Sequence, residues 1–261
     1  MKRASRFVIV VDVGNTSTAV GLAEGRAIRR VLRLPTHTAD PAGRIRDLLG
    51  RLPRGRDVRG ALLCSVVPAR NRVWCAALRA HCGQEPLVLS HRLQLNVRVD
   101  YPRPATIGAD RLANACAAWE RYGGPVIVAD FGTALTLDLV TADGRYVGGV
   151  IAPGLPLMTD YLCEKTALLP RVRLAGGFGP YGRSTREAMR IGALVGYRGM
   201  VRELVRHVRP GLRGGRLRLC ATGGYAARVV RGLGLPVALR PNLTLEGLAL
   251  VYEMNERERA S

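Results

Sequence analysis

Two stretches of the chain share one pattern of apolar and polar positions. Residues 8–22, VIVVDVGNTSTAVGL, carry a mostly β-branched run into Asp12, then Gly14-Asn15-Thr16, then a second β-rich run. Such a run, bounded by a Gly/Asn turn, predicts a buried strand entering a tight hairpin. Residues 126–140, VIVADFGTALTLDLV, repeat the design. At an offset of 118 residues, Asp130 falls on Asp12, and Val8/Val126, Ile9/Ile127, Val10/Val128, Gly14/Gly132 and Thr18/Thr136 coincide. An internal repeat constrains architecture more than any local pattern. One such segment could be an ordinary core strand ending in a turn; two, with Asp and Gly in register, point to a duplicated α/β chain with two acidic hairpins facing one cleft.

Between and after the repeats the apolar spacing alternates between strand and helix. Residues 27–34 read as a strand turning at Pro35, and residues 40–52 have helical spacing at Ile45, Leu48, Leu49 and Leu52, ending before Pro53. A charged loop at 54–59 precedes a strand at 61–67. A helix over 71–81 follows, burying Val73, Trp74, Leu78 and Cys82, and then a short strand at 86–89. Tyr101-Pro102-Arg103-Pro104 is a rigid extended loop, because its prolines fix φ and remove donors. Gly108-Ala109-Asp110-Arg111 then opens a helix. Residues 147–154 form a glycine-rich strand and turn. Ser184-Thr185-Arg186-Glu187 is a capping box opening a helix to about His207. A strand at 217–221 ends in Thr222-Gly223-Gly224, and an amphipathic helix after residues 241–247 runs into a charged, frayed tail at 255–261.

Composition narrows the class. At 261 residues and 48% hydrophobic, the chain can bury one or two domain cores. The division expected from the repeat is an N-terminal domain over 1–122 and a C-terminal domain over 123–261. No apolar run reaches membrane-spanning length, and the basic residues 1–6 lead into an apolar segment that stops at Asp12. A soluble cytoplasmic protein is expected. The six cysteines form no C-x-x-C pair and do not group with the histidines, so buried reduced thiols are expected and no zinc site. The formal charge of +20 is carried almost wholly by arginine, with Lys2 and Lys165 the only lysines. Scattered arginines with few aromatics are read as codon usage of a GC-rich genome, with polyanion binding the minority alternative.

The candidate chemistry gathers at the hairpins and at the helix that opens near residue 108. A carboxylate at Asp12 beside the hydroxyl and amide groups of Asn15, Thr16, Ser17 and Thr18 suits a metal-bound polyphosphate, with Gly14 allowing close approach. Asp110 in the first turn of a helix has a structural reading as a cap. Arg111 beside it and the Tyr101 loop before it raise the reading of a polar-substrate site. Thr185 stands at a helix N-terminus, where free N–H groups attract anions. The match of GFGPYG at 177–182 to a dinucleotide fingerprint is discounted, since Pro180 interrupts it and no acidic residue ends a following strand.

Taken in order, the motifs resemble the type III pantothenate kinases of the acetate kinase, sugar kinase, Hsp70 and actin superfamily. The carrying segments are DVGNT at 12–16, SVVP at 65–68, Tyr101 with GADR at 108–111, and DFGTA at 130–134. GGVIAPGL at 148–155, KTA at 165–167, RST at 183–185, ATGG at 221–224 and PNLTLEGL at 241–248 complete the set. Each motif is weak by itself; the ordered set is specific. Leu135 departs from the Thr or Ile expected there, and the arginine load is heavy for the family.

The resemblance implies an α/β fold of two duplicated RNase H-like (actin-like ATPase) domains with the active site in the cleft between them. It implies ATP-dependent phosphorylation of pantothenate to 4'-phosphopantothenate, the first step of coenzyme A biosynthesis. By position, Asp12, Val13, Gly14, Asn15, Thr16, Ser17, Thr18 and Ala19 would line ATP, with Thr133 contributing. Tyr101, Gly108, Ala109, Asp110, Arg111 and Thr185 would hold pantothenate. Asp110 would accept the hydroxyl proton, and Asp130 would ligate a monovalent cation, K⁺ or NH₄⁺, beside Mg²⁺. A homodimer is implied, leaving open whether Thr185 acts within or across subunits; no membrane and no specific nucleic-acid partner are expected. The alternative from another class is a non-catalytic regulatory or nucleic-acid-associated relative retaining the fold.

Overall fold

The structure, a computed structural model, describes residues 6–256. The N-terminal residues 1–5 and most of the tail read as frayed lie outside the described residues; Asn255 and Glu256 of that tail are helical. The chain forms two compact units. One takes the described residues of Met1–Gly123, Gly144–Tyr146 and Asn242–Ser261, the other Gly124–Asp143 and Val147–Pro241. This partition departs from a single division at 122/123, because the last helix belongs to the first unit.

In the first unit, β1 (Phe7–Val13), β2 (Ser17–Glu24), β3 (Ala27–Pro35), β4 (Val58–Ser65) and β5 (Leu87–Val88) form a sheet in the order β3-β2-β1-β4-β5. The first three strands are antiparallel neighbours, whereas β4 runs parallel to β1 and β5 parallel to β4. The second unit repeats this with β7 (Val126–Phe131), β8 (Ala134–Val140), β9 (Arg145–Pro153), β10 (Arg218–Thr222) and β11 (Ala238–Leu239), ordered β9-β8-β7-β10-β11. There too β8 is antiparallel to β7, while β10 and β11 run parallel. The duplication read from the sequence is therefore present in five strands of each sheet; the second sheet adds a sixth, the short strand Arg98–Val99, parallel to β9 at its edge. One detail of the alignment is corrected. Val13 pairs with Thr18 and Phe131 with Leu135, so four residues close the first turn and three the second. Leu135, not Thr136, is the counterpart of Thr18, and the offset drops to 117 after the turn.

Helices follow the predicted periodicities, with shifted ends. The first helix, α1 (Pro41–Leu49), is capped by Asp40, whose side chain accepts from the Gly43 N–H, and it stops at Gly50 rather than at Pro53. The second, α2 (Pro68–Cys82), starts earlier than predicted, with Pro68 in the first turn where a missing N–H costs nothing. Strand β4 likewise begins at Val58, inside the expected loop. Next come β6 (Arg98–Val99), α3 (Ala109–Tyr122), α4 (Leu157–Lys165), α5 (Thr185–Val208), α6 (Ala226–Val230) and α7 (Leu243–Glu256). In the capping box of α5 the Ser184 hydroxyl accepts from the Glu187 N–H, while the Glu187 carboxylate accepts from the N–H of Arg183, one residue before the cap.

The apolar run of β1 reflects burial on both faces. Ile9, Val11 and Val13 enter a core with Ile45, Leu49, Trp74 and Leu78 of α1 and α2. Each such side chain contributes about 1.5–3 kcal/mol by leaving water. Val8 and Val10 face the other way, toward α7, whose Leu245 passes over Gly21: a Cβ at Gly21 would lie 3.3 Å from Leu245 Cδ1. Helix α7 is apolar nearly all round, burying Leu243, Leu245, Leu248, Leu250, Val251 and Tyr252. It packs on α3 at Gly247, and the buried Thr244 hydroxyl donates to Asn114 Oδ1 at 2.8 Å. Arg59 ties the far end of α7 to β4 through Glu253 at 2.8 Å and through Glu256.

The α3–α7 approach tolerates no side chain at Gly247, where a Cβ would stand 2.0 Å from the Ala113 carbonyl oxygen. Gly247→Ala must push the helices apart, and overpacking of this kind costs about 1–3 kcal/mol or more. Urea unfolding is expected to show a lower midpoint with an unchanged slope. An unshifted midpoint would mean that this helix pair yields without cost.

Candidate functional site

Of the residues singled out from the sequence, Asp12 to Ala19, Tyr101 and Gly108 to Arg111 belong to the first unit; Asp130, Thr133 and Thr185 belong to the second. In the first unit the hairpin turn presents Asn15, Thr16 and Ser17 to solvent, while Val13, Thr18 and Ala19 are buried. The turn closes through the Gly14 N–H donating to the Ser17 carbonyl at 3.2 Å. Its buttress comes from Thr36, just past β3. The Thr36 hydroxyl donates to the Gly14 carbonyl at 2.7 Å and lies 2.9 Å from the Thr18 hydroxyl, and the Thr36 N–H donates to the Thr16 carbonyl at 3.1 Å. Thr36 is buried and was not read from the sequence. Its only sequence signal was a polar residue following the strand that ends at Pro35.

Parallel pairing sets Asp12 opposite Cys64 of β4. The Cys64 side chain is fully buried and hydrogen-bonds Asp12. Burial pushes its thiol well above the ordinary range, and the negative charges of Asp12 and then Asp110 push it further. Two carboxylates distant in sequence thus act on one thiol, Asp12 through a hydrogen bond and Asp110 through its charge alone. Among the cysteines, Cys64, Cys82, Cys116 and Cys220 are buried as expected; Cys75 and Cys163 are only half-buried, and all are free thiols.

Asp110 occupies the first turn of α3, where its Oδ1 accepts from the Arg111 N–H at 2.9 Å. Burial raises its pKa above the ordinary carboxylate value, opposed by that N–H bond and by the Arg111 charge. The Asp110 carboxylate thus satisfies a first-turn N–H and is made more basic by enclosure. Gly108 gives the carboxylate its room, since a Cβ there would be 2.6 Å from Asp110 Oδ1. Arg111 lies over the ring of Tyr146, 6.0 Å from its centroid, and Tyr101 packs against the same ring at 6.4 Å.

In the second unit, Asp130 is the penultimate residue of β7, in register with Thr222 of β10. The glycine-rich segments noted in the sequence press on this hairpin. Gly223 has φ +93°, and a Cβ there would sit 2.5 Å from Asp130 Oδ1; a Cβ at Gly154 would sit 2.1 Å from the Thr133 carbonyl oxygen. Close backbone approach, rather than spare room, is what these glycines supply. Thr133 is exposed at the turn, and Thr185 is the exposed first residue of α5. Among the described residues no group of three His, Cys, Asp or Glu could hold a metal by itself, and no helix is long and apolar enough to cross a membrane.

The Thr36 contacts give a direct test of the turn. In Thr36→Val the Gly14 carbonyl and the Thr18 hydroxyl each lose a buried partner, a loss worth about 1–3 kcal/mol. Thr36→Ser should stay near wild type in chemical denaturation. Equal stability of the two variants would show that the hydroxyl does not hold the turn.

The family model for type III pantothenate kinase matches residues 8–207. A type III pantothenate kinase of Dehalococcoides mccartyi is 36% identical over 261 residues, covering 97% of this chain and 99% of its own. Among solved structures, a Campylobacter jejuni protein described as a proposed transcriptional activator of the Baf family superposes with a TM-score of 0.61 at 15% identity, covering 95% of this chain and 99% of its own. MreB 5 of Spiroplasma citri, bound to AMPPNP, superposes with a TM-score of 0.51 at 13% identity, over 99% of both chains. These likenesses show the fold, a duplicated RNase H-like, actin-like architecture. The match of the family model and the near full-length identity place the chain in the type III pantothenate kinase family.

Proposed function

We infer that this protein transfers the terminal phosphoryl group of ATP to the primary hydroxyl of pantothenate, giving 4'-phosphopantothenate. The observation that carries the reading, beside family membership, is Asp110 in the first turn of α3, enclosed, made more basic and accepting from the Arg111 N–H at 2.9 Å. Residues Asp12 to Ala19 and Thr133 would line the phosphates. Tyr101, Gly108 to Arg111 and Thr185 would hold pantothenate, with Arg111 suited to its carboxylate. Asp110 would take the hydroxyl proton as the nucleophile attacks in line.

The first hairpin loop carries no basic residue, so phosphate charge there must be met by other groups. A Mg²⁺ held by one or two carboxylates and by substrate oxygens needs no three-residue cage, which suits Asp12 at the turn. Asp130 beside the Thr222 hydroxyl offers hard oxygen donors of the kind K⁺ or NH₄⁺ accepts. These cations would neutralise charge developing on the transferring group. We also propose a homodimer: large apolar side chains including Leu157, Tyr161, Leu162, Leu168, Tyr181 and Val195 are exposed within one stretch of chain.

Coupled measurement of ADP release, with and without pantothenate, tests the reaction itself; release independent of pantothenate overturns it. Asp110→Asn should lower turnover by about 10²–10⁴-fold. The acid limb of kcat/KM should fall at a pH above the usual carboxylate range, as the raised pKa dictates. The stability sign is opposite to that of a paired carboxylate. A raised folded-state pKa gives stability that is present below the unfolded pKa and is lost as pH rises through the folded value. Asp110→Asn should therefore melt no lower than wild type at neutral pH. A lowered melting temperature with turnover intact would leave Asp110 only its cap.

The cation reading predicts poor turnover in Tris and Na⁺ with Mg²⁺, restored by K⁺ or NH₄⁺. Asp130→Ala should blunt that response while its circular dichroism stays native. Full wild-type activity with Mg²⁺ and Na⁺ alone would remove the monovalent site.

A further inference from the structure

We propose that Tyr146 is a positioning residue for the acceptor substrate, setting the orientation of both Tyr101 and Arg111; this rests on the reading of those two side chains as pantothenate-holding. Tyr146 is fully buried, yet its ring is not packed only among aliphatic neighbours. It lies under the Arg111 guanidinium at 6.0 Å and meets the Tyr101 ring at 6.4 Å with the planes inclined by 51°. Two side chains from separate segments, the proline-bounded loop and the first turn of α3, thus share one platform.

The platform is itself held in place from several sides. Tyr146 pairs in register with Val99 of β6, and its carbonyl accepts from the Asp100 N–H at 2.9 Å. Asp100 in turn accepts from Arg145 at 3.0 Å. Gly144, at φ +78°, lets the chain lie against the Trp119 indole, since a Cβ there would be 2.8 Å from Trp119 Cζ2. The segment Gly144–Tyr146 belongs to the first unit although both its flanks belong to the second. A tyrosine serving only the core would need neither a cation above it nor a short strand devoted to fixing its backbone.

A guanidinium over an aromatic face is attracted by the ring quadrupole, and the offset pair of rings limits how Tyr101 can turn. Removing the ring leaves Arg111 with more rotamers, which bound substrate must then pay to order. The consequence falls on acceptor affinity and not on ATP.

The test is a set of steady-state measurements on the full chain. Arg111→Gln first checks the underlying reading. If it leaves the pantothenate KM unchanged, the assignment of Arg111 to the substrate fails, and the Tyr146 proposal fails with it. If that KM rises, Tyr146→Leu should raise it by roughly 2- to 30-fold, the span of cation–π strengths. The ATP KM should stay within about twofold, and Tyr146→Phe should restore most of the loss. In the double variant Tyr146→Leu with Arg111→Gln, the combined loss should fall short of the sum, because Tyr146 acts partly through Arg111 and only the part acting through Tyr101 remains. Additive losses, or an equal rise in the ATP KM, would overturn the proposal and leave Tyr146 a core residue while the site reading stands. Should Tyr146→Leu fold poorly, phenylalanines carrying one, two and three fluorines at position 146 keep the size and drain the ring face. The pantothenate KM should climb along that series at constant melting temperature, and a flat series would overturn the proposal.

Discussion

The burial of β1 and β7 on both faces is the constraint from which the site follows. Strand side chains alternate, so Ile9, Val11 and Val13 enter one core, and Asp12 must leave on the opposite face with Val8 and Val10. Strand β7 obeys the same rule: Ile127, Ala129 and Phe131 enter the core of the second unit, and Asp130 leaves on the other side. A slip of one residue would drive a carboxylate among leucines, at a cost of several kcal/mol. The hydrophobic effect, acting on the apolar positions, thus decides where each acid stands. Parallel pairing with β4 and β10 then sets each acid's neighbour, Cys64 for Asp12 and Thr222 for Asp130.

The two copies solve one problem differently. A polar turn cannot be held by the strand ladder alone, because its backbone groups have left the ladder. The first copy holds a four-residue turn with a side chain, Thr36, bonded to Gly14 and Thr18. The second holds a three-residue turn by pressing backbone against it at Gly154 and Gly223. Side-chain bonding leaves the first turn adjustable by substitution; backbone contact leaves the second no space for any side chain. Duplicated sequence has kept the strands and changed the support.

Legibility in the sequence followed the range of the interaction. Hairpins, capping boxes and helices express local chemistry, so the runs around Asp12 and Asp130 and the Ser184–Glu187 box could be read directly. The shortened second turn could not, because an offset alignment that matches Thr18 to Thr136 is locally as good as the true one. Nor could the placement of α7 with the first unit, since an apolar helix does not name the sheet that will cover it. Candidate residues were legible through ordered motifs. Their supports Thr36, Cys64 and Tyr146 were not, because each acts through strand register or through a partner far along the chain. Gly154 and Gly223 were visible as glycines, but close packing and ligand approach leave the same mark in sequence.

The arginine excess shows where composition stops informing function. On α5, Arg186, Arg190, Arg198 and Arg202 recur at helical spacing, and each donates to a carbonyl outside the helix: Arg171, Ala175, Val229 with Arg228, and Leu233. The acceptors lie in an irregular loop and around the C-terminal end of α6, where carbonyls lack helical partners. A forked guanidinium can reach two such carbonyls at once, as Arg198 does; a lysine ammonium is a point charge without that geometry. These arginines therefore have structural work whatever codon usage supplied them. A carbonyl accepts a hydrogen bond but does not cancel a charge, so the positive field remains. That field bears on solubility and on encounter with anions, falls with salt, and carries no information about the reaction.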